Sequence, residues 1–403
     1  MDRLVNTVRP YAWGSPTAIP ALLGVPATGE PQAELWLGAH PGAPSRLDRG
    51  RGARSLAEVI AADPQAELGP ATVARFGAEL PFLLKVLAAD QPLSVQVHPS
   101  LAQARAGFAD EEARGVPVDA PQRNYRDANH KPELLCALGE FDGFCGFREP
   151  AGTADLLDAL AVPALAPWAA TLRTGPDALR TVLAEILTTD RGQLAATIGA
   201  VTEALVTAAA TPGPYRQACA AYALAADAFP GDPGILAVLL LHHVRLRPGQ
   251  ALYLGSGVPH AYLRGLGVEI MANSDNVLRC GLTPKHVDVP ELLRVVDFRA
   301  TEPAVLDPVP GDGGEELYPA PVGEFRLSRH RLGGGGQVHR VGGDAPQILL
   351  CTEGEAVLTG PGGAPLTLAR GQSAYLPATG AGTLLTAAGA GATVFRATVP
   401  SEV

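Results

Sequence analysis

The segment Leu93-Ser94-Val95-Gln96-Val97-His98-Pro99 alternates apolar and polar residues with a period of two. This predicts a strand with Ser94, Gln96 and His98 on one face. A hydroxyl, an amide and an imidazole together suggest a site, although a half-solvated edge strand shows the same alternation. A second segment, Asp127-Ala128-Asn129-His130-Lys131-Pro132-Glu133, runs from a dense polar cluster into the apolar Leu134-Leu135-Cys136. Lys131 and Glu133 share a face there, and the carboxylate could be a metal ligand, a base or a salt-bridge partner. A third segment passes from Gln250-Ala251-Leu252-Tyr253-Leu254 through the turn Gly255-Ser256-Gly257-Val258-Pro259 to His260, which opens the next strand. The fourth, Val268 to His286, holds Glu269, Asn273, Asp275, Asn276, Arg279 and Lys285. Metal ligation and acid–base chemistry are the activities these residue types could support.

The elements that must position these residues are mostly strands. Residues 1–150 alternate short apolar runs, such as Pro81-Phe82-Leu83-Leu84-Lys85-Val86-Leu87, with Gly and Pro punctuation, which predicts a β-rich unit. Residues 151–234 change character: Leu179, Val182, Leu183, Ile186 and Leu187 recur at helical spacing, and four or five helices are expected. A last helix is expected around Pro233 to His242, with His242 and His243 at its end. The β unit then resumes over 235–300. After a Pro/Gly-rich linker from Asp307 to Gly314, the rest of 301–403 reads as short strands with Gly turns, a sandwich or jelly roll of structural role. The expected fold class is therefore mainly β with a helical insert.

Composition narrows the chemistry further. A net charge of -10 over 403 residues argues against a nucleic-acid surface, so an anionic ligand would need a local basic pocket. No uninterrupted apolar run approaches a bilayer span, and the first thirty residues lack a basic start followed by a long apolar run. A cytoplasmic monomer without membrane contact is expected. The five cysteines are scattered and never paired in spacing, as reduced buried thiols would be. Among 31 basic residues only Lys85, Lys131 and Lys285 are lysines. In a chain so biased to arginine, a retained lysine marks a position that needs a compact ammonium. Asn124, Asn129, Asn273 and Asn276 cluster in the same segments, with only Asn6 elsewhere.

The strand–turn–His260 pattern resembles the second half of the cupin signature, in which that histidine ligates a metal inside a small β-barrel. With Asn129-His130-Lys131-Pro132-Glu133 and Asn273-Ser274-Asp275-Asn276-Val277-Leu278-Arg279 in order and a helical insert between them, the chain from Tyr11 to about Asp297 resembles the type I mannose-6-phosphate isomerases. The last hundred residues match only loosely. The resemblance implies two cupin-type jelly-roll barrels plus an α-helical domain. It implies one zinc ion on Gln96, His98, Glu133 and His260, a catalytic Arg279, and phosphate contacts from Ser94 and Lys285. It also implies interconversion of mannose 6-phosphate and fructose 6-phosphate through an enediol, with Glu269 and Lys131 the candidate bases. Lys85, Glu34 and Asp275 are the remaining expected substrate contacts, with Trp13 packed against the pocket wall.

Two rivals stand beside this reading. His98, Glu133 and His260 alone would also form a two-His, one-carboxylate site for an iron-dependent oxygenase, but Gln96 closes a position that oxygen needs. A sugar-phosphate-binding barrel without turnover is the other.

Overall fold

Strand Phe82–Ala89 shows how the apolar runs fold: all eight of its residues are buried, because both of its faces are covered. Leu84, Val86 and Ala88 face a core shared with the C-terminal sheet, whereas Leu87 joins an interior core with Leu135, Leu252, Leu254 and Tyr262. Lys85 lies on the interior side by the same alternation. The chain is described here by a computed structural model that covers residues 1–400.

The strand belongs to an 11-stranded antiparallel sheet folded on itself. Its organising element is the 13-residue strand His260–Ala272. The C-terminal half of that strand pairs with Phe82–Ala89 and Glu133–Ala137, and its N-terminal end pairs with Phe141–Phe147 and Val95–Val97. The register breaks between Tyr262 and Arg264, next to Gly265 at φ 139°. A Cβ at Gly265 would lie 2.4 Å from the Phe141 ring, so only glycine permits this bend. The bend wraps one strand around two faces of a barrel and brings His260 over the end of the interior.

Two layers flank this barrel. On one side Val95, Val97, Phe144 and Ala261 pack against the helices Pro150–Ala159, Ala166–Leu172, Ala178–Thr188, Arg191–Ala210 and Arg216–Ala228. On the other, the shared core joins Ile348, Leu350, Phe395 and Ala397 of a nine-stranded sheet built on Gln347–Thr359 and Thr383–Thr398. The fold is thus mainly β with a helical insert.

Several details differ from expectation. Strand Asp2–Leu4 pairs with Ser373–Leu376 in the C-terminal sheet, and Val305–Leu306 pairs with Ala251–Leu254 in the first. Both segments cross between units, and each covers an edge strand that would otherwise present unpaired backbone groups. Residues 1–150 also contain helices, including Leu56–Ala62 and Leu101–Ala113, each opened by a serine capping box. The helix expected around Pro233 to His242 is only Gly234–Val238, with a later helix at Val289–Val295, and His242 and His243 lie in strand Leu241–Leu246, where His243 Nε2 contacts Asp142 Oδ1 at 2.9 Å. Helix Arg191–Ala210, at 20 residues and mean hydropathy 1.3, has the length and composition to cross a membrane. Its Leu194, Ile198, Val201 and Leu205 are buried at helical spacing against the other helices, the packing of an amphipathic helix in a folded protein.

Candidate metal centre and its pocket

With Val95 and Val97 fixed beneath the helices, pleating turns Gln96 toward the interior, where it lies in register with His260 on one side and Arg279 on the other. The regular strand ends at Val97 and His98 follows it, held by a hydrogen bond from Gly257 N to its carbonyl at 2.8 Å. Glu133 opens its strand opposite Met271 and Leu254. The ligand atoms of His98, Glu133 and His260 lie within 4.8 Å of one another, and all three residues are buried.

The protons in this cluster can be assigned. His98 Nδ1 donates to the Asn276 carbonyl at 2.8 Å, and His260 Nδ1 donates to the Val258 carbonyl at 3.0 Å. A carbonyl only accepts, so both rings carry a proton on Nδ1, and a neutral ring in this orientation turns its Nε2 lone pair inward. Each Nε2 lies 3.5 Å from a different oxygen of Glu133. Burial holds His98 neutral, its pKa lowered to about 4 despite the adjacent carboxylate. Lone pairs facing a carboxylate repel, and His98 Nε2 has no hydrogen-bond partner among the described residues. A cation among these atoms would turn the repulsion into ligation, so the residues fit a metal ion.

Around the cluster a cavity of about 50 Å³ is lined by Glu34, Lys85, Gln96, Lys131, Glu133, His260, Tyr262 and Glu269, among others. Lys131 Nζ lies 3.0 Å from Glu133 Oε1. Burial alone would raise the Glu133 pKa, but Lys131 and then His98 hold it well below the usual carboxylate range. Lys85 Nζ sits between Glu34 at 3.6 Å and Glu269 at 3.4 Å, with the Trp36 ring 5.4 Å away. Burial opposes its charge, but the carboxylates prevail and keep Lys85 protonated. Glu269 accepts from Tyr262 Oη at 2.7 Å, and burial lifts its pKa above the ordinary range, with Lys85 pulling the other way. Three carboxylates against two ammoniums leave this lining one charge negative. A divalent cation would make it positive, which suits an anionic substrate.

Beyond the cavity, Arg279 and Lys285 have no carboxylate partner among the described residues. Burial and the nearby Arg126 lower the Arg279 pKa; burial, Arg279 and Arg126 lower that of Lys285. These three cations repel one another, the arrangement of a site awaiting an anion. Sequence reasoning missed Arg126, because arginine is the default cation of this chain. It also missed Asp127, which accepts from Asn129 N, Ser274 Oγ, Asp275 N and Asn276 Nδ2 and so ties two distant segments together. The clustered asparagines do the same work: Asn276 Oδ1 accepts from Arg126 N at 2.7 Å while its Nδ2 donates to the Asn129 carbonyl at 2.8 Å. A carboxamide, with an acceptor oxygen and a donor nitrogen side by side, can serve both segments at once.

Some expected residues lie elsewhere. Ser94 is half-buried and precedes the strand, and it does not line the cavity. Asp275 is exposed and borders a separate groove of about 640 Å³ with His40, Arg126 and Ser274. His40 Nε2 lies 3.6 Å from Asp275 Oδ1. His130 bonds Glu324 at 2.6 Å, and His286 is exposed. Trp13 packs against the interior core beside Tyr11.

A bent antiparallel barrel with two histidines and a glutamate converging at one end has the architecture of a cupin. The pattern described as "Phosphomannose isomerase type I, catalytic domain" matches residues 1–150. The chain is 42% identical to mannose-6-phosphate isomerase of Escherichia coli strain K12 over 94% of its own length and 95% of the relative's. It is 30% identical to the Homo sapiens mannose-6-phosphate isomerase, with 97% and 96% covered. A solved mannose 6-phosphate isomerase described as "holo; zinc bound" superposes with a TM-score of 0.89 at 39% identity, covering 99% of both chains. This chain belongs to the mannose-6-phosphate isomerase family.

Proposed function

We propose that the pocket interconverts D-mannose 6-phosphate and D-fructose 6-phosphate, with one zinc ion on His98, Glu133, His260 and Gln96. The observation that carries the metal assignment is the unpartnered, buried Nε2 of His98 aimed at Glu133 beside the equally oriented His260. Bound there, zinc would act as a Lewis acid that polarises the sugar carbonyl. Membership in an isomerase family sets aside the oxygenase reading.

The chain's own residues supply the rest. Arg279, Lys285 and Arg126 grip the phosphate and anchor the open-chain sugar. Glu269, with its raised pKa, removes the C2 proton of the aldose, giving an enediol, and then delivers a proton to C1 to form the ketose, its carboxyl proton exchanging with solvent in between. The hydroxyl proton moves from O2 to O1 in the same interconversion, so atoms balance without an oxidant. Lys85 stays cationic beside Glu269 and steadies its charge before the proton is taken. Lys131 is the alternative base; its 3.0 Å contact with Glu133 favours a charge-balancing role instead. Ser94 and Asp275 do not line the small cavity, and this reading assigns them to the outer part of the substrate, where Asp275 borders the groove that Arg126 also lines. Five buried free cysteines support a reducing compartment, and we place the activity in the cytoplasm on a monomer.

The test is a coupled assay on mannose 6-phosphate before and after chelation. Metal-free protein should be inactive and zinc should restore it, while full activity without metal would refute the site. Arg279→Ala should keep its metal, because the guanidinium ligates nothing, yet lose about 10²–10³-fold in turnover as a group stabilising developing charge disappears. Unchanged turnover in that variant would remove Arg279 from the mechanism.

A further inference from the structure

The C-terminal sheet encloses a polar cluster that the isomerisation does not use. Strand Arg326–Gly333 turns Arg326, Ser328, His330 and Leu332 to one side, and Leu332 packs in the interior core with Leu349, Leu358 and Val394. The same face therefore sends Arg326, Ser328 and His330 inward. Neighbouring strands set Glu315 opposite His330 and Arg396 opposite Ser328. Arg396 Nη1 donates to Glu315 Oε2 at 2.9 Å, and Arg326 Nη2 lies 3.6 Å from Glu315 Oε1. Two guanidiniums share one carboxylate, leaving positive charge in excess.

The proton positions follow from one backbone donor. Gly333 N donates to Gln337 Oε1 at 2.9 Å, which orients the amide so that its Nε2 faces His339 Nε2 at 2.9 Å. The amide nitrogen can only donate, so His339 Nε2 accepts and the His339 proton is on Nδ1. That Nδ1 meets His330 Nδ1 at 3.0 Å and donates to it. His330 therefore carries its own proton on Nε2. That N–H is buried without an acceptor, and Ser328 Oγ and Arg326 Nε also lack partners. His330 and Ser328 are 0% and 1% exposed. An orphaned buried polar group is destabilising, so three in a row on one strand face call for an occupant.

We propose that this second barrel binds a small oxyanion of the phosphate class on His330 Nε2–H, Ser328 Oγ–H and Arg326, with Arg396 adding charge. A metal ion is disfavoured there, because the single lone pair of His330 is already taken by His339. Arg326 is the member of the cluster that reaches the surface: its side chain is 35% exposed and lines a groove of about 640 Å³ with Leu317, Phe325 and Pro400. The source is either free inorganic phosphate or the phosphate of a metabolite.

The experiment titrates inorganic phosphate, and separately a hexose 6-phosphate, into full-length protein. It follows the ring nitrogens by long-range ¹⁵N NMR and binding by calorimetry. A saturable shift of the His330 Nε2 signal is expected, together with a second binding isotherm that disappears in Ser328→Ala and in Arg326→Gln. Both variants should isomerise mannose 6-phosphate as the parent does, and loss of turnover would tie the cluster to the main site and overturn the proposal. A response to both titrants identifies a metabolite phosphate as a ligand; a response to inorganic phosphate alone identifies the free ion. Ring signals that move with neither, and isotherms identical in parent and variants, would show that the orphaned groups hold only water.

Discussion

Glu133→Gln is expected to leave the protein folded but unable to retain its metal, with isomerase activity reduced about 10²–10³-fold, the several kcal/mol a Lewis acid supplies. The reason lies in the frustration of the metal-free cluster. Two neutral imidazoles direct lone pairs at a carboxylate that cannot donate to them. The introduced amide can donate to one of those lone pairs, so the variant relieves in the apo state what the metal relieves in the parent. It also removes the one formal negative charge among the four proposed ligands. Metal analysis after dialysis should give less than one equivalent per chain. Thermal unfolding of the metal-free variant should begin no earlier than that of metal-free parent, even though Lys131 loses its 3.0 Å partner. Full metal occupancy with parental turnover would remove Glu133 from the ligand set.

Glu269→Gln should have the opposite signature. Metal content should stay at the parental value, because Glu269 is not part of the cluster of ligand atoms and pairs instead with Lys85 and Tyr262. Turnover should fall about 10²–10⁴-fold, the range for loss of a positioned general base. KM should change little, since Arg279, Lys285 and Arg126 still hold the phosphate. The fold should tolerate the change, because Lys85 keeps Glu34 at 3.6 Å and Tyr262 can donate to the amide oxygen. The sharper readout is isotope exchange: in heavy water the variant should stop incorporating deuterium at C1 of the product. If exchange and turnover persist, and Lys131→Met abolishes both, the proton transfer belongs to Lys131.

The shared-charge pocket was only partly legible in the sequence. Lys85 and Lys131 stood out because lysine is rare in this chain, and the structure places both against carboxylates of one cavity. Arg126 could not stand out, since nothing in its residue type separates it from the other arginines, and only its proximity to Arg279 and Lys285 reveals it. Asp275 looked like a pocket residue by its neighbours in sequence, yet it borders the wider groove beside His40. The C-terminal histidines went unremarked because His330 and His339 lie nine residues apart with no pattern around them. Their contact requires two strands of one barrel to meet.

By itself the sequence determined what pleating and ligand chemistry control: the strand that turns Gln96 inward, the turn that delivers His260, the carboxylate that opens the next strand, and the helical insert between them. The tertiary structure alone decided which of those side chains share a cavity, which nitrogen of each histidine is bare, and which carboxylate has a raised pKa. Those properties depend on the carbonyls of Asn276 and Val258, on the bend at Gly265, and on burial beneath two covering layers. Asn276 lies far from His98 in the chain and Phe141 far from Gly265, and even the two-residue contact of His260 with Val258 depends on how the turn folds, so local spacing carries no record of them.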